Sequence, residues 1–159
     1  MTLIRNSFRT LFGLILMISS IDSVAHDAST YKQAQENLRY FTEALENPNS
    51  YDYFRILAKV RQGKKNEPIW LDRVRKVSGQ YVGKLTVTPK DSHHIRNYQE
   101  IAVNARDILD WNYQDKITHT IYGHFNACKE FKSLPVDEAT DQMAFWNIAC
   151  TPSEKNNPH

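Results

Sequence analysis

At 159 residues, the chain has the length of one domain rather than two. Its 41% hydrophobic content supports a core and excludes disorder over most of the length. With 20 basic and 18 acidic residues the net charge is +2, too balanced for nucleic-acid binding driven by charge.

Residues 1–25 read as a secretory signal. Arg5 and Arg9 supply a positive start, Leu11–Ile18 is apolar apart from Gly13, and Ser23-Val24-Ala25 has the small-x-small pattern of a cleavage site. The apolar run falls short of the about 20 residues that a membrane-crossing helix needs. The alternative is an uncleaved amphipathic anchor. Cleavage near Ala25 predicts a periplasmic or secreted protein with no membrane span, a single domain over 26–150 and a disordered polar tail over 151–159.

From Tyr31 the pattern is helical. Leu38, Phe41 and Leu45 share a stripe with Ala34 and Ala44, and Asn47-Pro48-Asn49 stops the run. This predicts an amphipathic helix over Tyr31–Glu46 whose stripe covers a sheet. Tyr53–Arg61 alternates with period two and reads as a strand, followed by a turn at Gln62–Asn66. Ile69–Val77 and Gln80–Thr88 are the next strands, joined at Ser78-Gly79. His93–Gln99 is a loop, and Glu100–Ala105 a fourth strand. The segment Asp107-Ile108-Leu109-Asp110-Trp111-Asn112-Tyr113 reads as a bend plugged by Trp111, held by Asp110 and Asn112. Ile117–Ala127 alternates again and is the fifth strand, and Val136–Ile148 is a short C-terminal helix. The fold class is therefore α+β: an antiparallel meander of about five strands, covered by the N-terminal helix. No internal repeat or linker divides it.

Cys128 and Cys150 are the two cysteines. In an exported protein an even count implies a disulfide, which across this separation stabilises by roughly 3 kcal/mol in the loop-entropy model. The alternatives are free thiols or a bridge to another chain.

The run Glu67-Pro68-Ile69-Trp70-Leu71, then Gly79, Gly83-Lys84-Leu85 and Pro89, and finally Ile108-Leu109-Asp110-Trp111-Asn112-Tyr113 resembles the YegJ-like domains of unknown function. The resemblance covers about residues 31–130; Gln99-Glu100 stands where a Gly-Asp turn is typical. It implies a compact, often exported α+β domain with no established catalytic residues. Trp70, Asp110, Trp111 and Tyr113 form its structural core motif.

Three chemistries are open to these side chains. His93, His94, His119, His124, Cys128 and Cys150 lack the paired spacing of a zinc site, so no metal or cofactor is expected. Asp107 and Asp110 beside Trp111, with His119 and His124, offer carboxylate–imidazole chemistry. Yet no nucleophile elbow, zinc-protease motif, phosphate loop or dinucleotide fingerprint accompanies them. Lys59, Arg61, Arg73, Arg75 and Lys76 come from two adjacent strands and make a candidate binding face, with Tyr51, Tyr53, Tyr81 and Tyr98 as anchors. The competing assignment for these charges is a solvated face whose edge lysines block aggregation. The expectation is an exported, non-catalytic binding protein whose partner is another envelope protein, an inhibitor or immunity-type role being one form of it. The alternative is a small envelope hydrolase using Asp110 and His124.

Overall fold

A computed structural model describes residues 28–62, 64–85 and 99–150. The segment expected to be a signal, the His93-His94 pair, Tyr98 and the tail expected to be disordered lie outside the described residues. Helices α1 (Ala28–Glu36) and α2 (Leu38–Leu45) come first, then strands β1 (Tyr51–Gln62), β2 (Lys65–Val77), β3 (Gln80–Leu85) and β4 (Glu100–Val103). A single 3₁₀ turn at Ala105–Asp107 leads into β5 (Ile108–Asp115) and β6 (Ile121–Gly123). Helices α3 (Phe125–Lys132) and α4 (Val136–Trp146) and strand β7 (Ile148–Ala149) complete the order.

The α+β class holds, but the sheet has seven strands, in the order β4-β3-β2-β1-β5-β6-β7. The first four strands form the expected meander. The chain then returns to pair β5 with the free edge of β1, so β1 is central. All neighbours are antiparallel except β6 and β7, which run parallel. A parallel pair needs a crossover, and α3 with α4 supplies it.

Three expectations are corrected. The Asp-Trp segment is not a bend but the strand β5, buried at every position except Gln114. Ile117–Ala127 is not one strand: only Ile121–Gly123 pairs, and α3 starts at Phe125 because His124 turns left-handed at φ 58°. The N-terminal cover is two helices rather than one, broken at Asn37, whose side-chain amide donates to the Gln33 carbonyl at 2.9 Å.

That break has a use. Carbonyls in the last turn of a helix lack intrahelical donors. The Ala34 carbonyl instead accepts the Trp111 indole N–H at 2.9 Å, in the interior. Gln35 ties the same helix end to β5 by donating to the Ile108 carbonyl at 2.6 Å. Trp111 has no exposed surface and is ringed by Phe41, Tyr113 and Phe125 at centroid distances of 5.6, 5.9 and 5.1 Å. Ile56, Ala58 and Val60 of β1 and Ile69 and Leu71 of β2 complete this core. Gly123 lets β6 run against the indole: a Cβ there would lie 2.5 Å from the Trp111 Cε3 atom, and its φ is +87°. Cys128 and Cys150 are joined by a disulfide, with a Cα separation of 5.5 Å, tying α3 to the end of β7.

Candidate functional site

Strands β1 and β2 each carry a bulge. The register shifts between Asp52 and Arg55 where β1 meets β5, and between Asp72 and Arg75 where β2 meets β3. Within these shifts Tyr53 sits at φ 49° and Arg73 at φ 52°. Non-glycine residues in this region cost about 1–2 kcal/mol each. Such strain persists where surrounding structure enforces it and gathers at functional sites. The two bulges lie side by side, since Arg55 pairs directly with Asp72.

Between them opens a hollow of about 730 Å³. Tyr51, Tyr53, Phe54 and Pro48 form one wall; Asp52, Arg55, Asp72, Arg73, Lys84 and Lys116 bring charge. Tyr51 and Phe54 are fixed from behind by Tyr113, at 5.1 and 6.1 Å between ring centroids. Tyr53 is 73% exposed. Arg55 Nε donates to Asp72 Oδ1 at 2.6 Å, and Lys116 donates to the Pro48 carbonyl at 2.6 Å. Arg73 makes no hydrogen bond or ion pair among the described residues. Asp52 Oδ1 is buried and likewise accepts none.

Arg55 links the hollow to a second cluster. Its guanidinium lies over the Trp70 ring at 5.1 Å, and Trp70 meets the His124 ring edge-on at 5.5 Å. Trp70 is thus half-buried on the open face; it is not in the helix-covered core, because its register partner Leu57 points the same way. Next to His124 lies Asp110, fully buried, with His124 Nδ1 3.9 Å from its Oδ2. The carboxylate accepts from the Trp111 and Phe125 amides, at 2.8 and 3.0 Å, on Oδ1. It accepts from the Asn126 amide and side chain, at 3.0 and 2.8 Å, on Oδ2. Asp110 therefore caps α3 from a neighbouring strand, satisfying N–H groups that a helix start leaves open. Burial pushes its carboxyl above the ordinary range, against the pull of these donors. Burial also holds the His124 imidazole below its usual value, opposed by Asp110 and aided by Arg55. Both oxygens of the Asp110 carboxyl are thus occupied by donors from the Trp111 amide and the start of α3.

The other candidate residues disperse. Asp107 ends the 3₁₀ turn and accepts from Asn104 at 3.4 Å, while His119 is exposed in the β5–β6 turn. The five basic residues do not share one patch. Lys59 and Arg61 pair with Pro68 and Asn66 near the β1–β2 turn, and Lys59 lies over the Tyr31 ring at 5.7 Å. At about 3.3 Å per residue, Arg73 is roughly 20 Å along β2 from Asn66. Arg75 forks onto Glu100 at 3.2 and 2.9 Å, and Lys76 lies over the Tyr81 ring at 5.8 Å. Of the tyrosine anchors, Tyr51 and Tyr53 line the hollow, and Tyr81 is buried under α2, its hydroxyl 2.7 Å from that of Thr42. Asp52, Arg55, Asp72, Lys84 and Lys116 were not singled out from sequence. The one signal available was the crowding of Tyr51, Tyr53 and Phe54 at the start of a strand.

A model of a bacterial family, described as an uncharacterized protein conserved in bacteria (DUF2314), matches residues 26–142. No curated protein and no solved structure matches the chain.

Proposed function

For a chain that belongs to the DUF2314 family of uncharacterized proteins conserved in bacteria, we propose the role of an exported, non-catalytic binding protein whose partner is another protein of the cell envelope. The observation that carries this reading is the hollow between the bulges of Tyr53 and Arg73. Two adjacent strands hold strained backbone there, display an exposed aromatic ring and leave a guanidinium unengaged. Non-glycine residues held in left-handed backbone gather at functional sites. An aromatic anchor beside an arginine is also the composition of interface hot spots. The carboxylate with the nearest imidazole, Asp110, serves helix α3 with both oxygens, which favours a structural role for it.

The test is affinity capture from periplasmic extract with the mature protein as bait. The wild type should retain a defined envelope protein, and an Arg73→Glu/Lys84→Glu variant of equal thermal stability should release it. Recovery of nothing by the wild type, or recovery of the chain from the cytosol with its leader intact, would sink the proposal. A second reading, a small envelope hydrolase, draws on the 3.9 Å approach of His124 to Asp110. It requires that His124→Gln abolish a hydrolytic activity of the purified protein while leaving its fold intact.

A further inference from the structure

We infer that the hollow recognises an acidic peptide segment with an apolar side chain, seated with its carboxylate on Arg73 and Lys84 and its apolar group against Tyr53. This rests on the binding reading above and names what that surface would select. The argument comes from the groups the hollow presents. Arg73 lines it and makes no hydrogen bond or ion pair among the described residues, and Tyr53 beside it is 73% exposed. Lys84 stands across β3 and β4 from Glu100, whose carboxylate is already forked on Arg75. Arg55 and Lys116 are engaged with Asp72 and Pro48. Among the described residues the hollow therefore offers the Arg73 guanidinium, the Lys84 cation shared with Glu100 and the exposed face of Tyr53.

Other ligand classes match this set less well. A divalent cation would suit Asp52 and Asp72 but is repelled by four basic side chains. Inorganic phosphate would suit Arg73 and Lys84 but brings two negative charges towards the carboxylates of Asp52 and Asp72, and no apolar part for Tyr53 and Phe54. A peptide bearing a carboxylate carries the acceptor and the apolar group on one backbone. An extended segment also suits a hollow opened along two strands.

The experiment is an amide-resolved NMR titration of the mature protein with the capped tetrapeptide glycyl-phenylalanyl-aspartyl-glycine. Shifts should gather at Asp52, Tyr53, Arg73 and Lys84. The affinity should fall at least about tenfold with Arg73→Glu or with lysine in place of the peptide's aspartate. Tyr53→Gly should weaken binding too, and because glycine accepts φ 49° the variant stays folded, so the loss reports the ring. Equal binding of the lysyl peptide, the same shifts with inorganic phosphate alone, or no shift at these amides would overturn the inference. If wild type and Tyr53→Gly/Arg73→Glu capture the same envelope protein equally, this assignment fails and the binding reading stands. Peptide recognition without any captured envelope partner would be the reverse.

Discussion

The two faces of the sheet are built to different rules. Towards α1 and α2, Phe41, Trp111, Tyr113 and Phe125 interlock, and the Trp111 indole N–H is taken up by Ala34. On the other face Arg55 stacks on Trp70, Tyr53 stands in solvent, Tyr53 and Arg73 hold left-handed backbone and Asp52 Oδ1 accepts no donor among the described residues. The first face is held by burial and by hydrogen bonds to its polar groups. The second departs from that pattern at several neighbouring positions, and it is these departures that support the proposed contact surface.

The sharpest challenge to this contrast is Trp111→Ala. It removes the largest buried side chain and leaves the Ala34 carbonyl unmet, so it should cost about 3–5 kcal/mol in denaturant unfolding. A loss below about 1 kcal/mol would remove the covered face from its role as the stability centre. Next comes Asp110→Ala, which strips the acceptor from the Trp111, Phe125 and Asn126 amides and should cost about 2–4 kcal/mol. Amide exchange should quicken first at the start of α3. A full loss of an enzymatic activity with unchanged stability would instead favour the hydrolase reading.

A smaller effect depends on pH. Burial keeps the folded His124 ring below its ordinary value of 6.5, with Asp110 and Glu130 opposing and Arg55 aiding. A base depressed by folding binds fewer protons folded than unfolded, so its contribution to stability is present above that ordinary value and declines as pH falls through it. Melting temperature should therefore drop between pH 7 and pH 5, and His124→Gln should flatten that drop. Equal slopes for both proteins would show that the ring near Asp110 is not depressed. The smallest effect has the opposite sign: Arg73→Gly should stabilise by up to about 1 kcal/mol, through relief at φ 52°. A stabilising substitution that also abolishes partner capture would sharpen the contrast between the faces more than any core variant.

Much of the covered face was legible in the chain. The stripe of Leu38, Phe41 and Leu45 packs as expected, the alternation of Phe54–Val60 marks β1, and the need of Trp111 for an N–H partner is met. The strand β5 was hidden because Asp110 and Asn112 interrupt an apolar run and look like turn residues. Asp110 is tolerable inside only because α3, 15 residues on, aims its first amides at it, and no local window contains that fact. The same holds for α3: Tyr122 and His124 prolong a period-two pattern that the left-handed His124 then ends. The hollow was least visible. Left-handed positions usually announce themselves with Gly or Asn, as Asn147 does at the end of α4, whereas Tyr53 and Arg73 do not.

The link between Cys128 and Cys150 also sets a mechanical route. Strand β7 is two residues long and would peel easily if the chain were tugged from beyond Cys150. The sulfur bridge bypasses it, handing tension to α3 and through Phe125 to the indole at the centre. A tether attached at that end would therefore pull on α3 and the aromatic core before it pulled on β7.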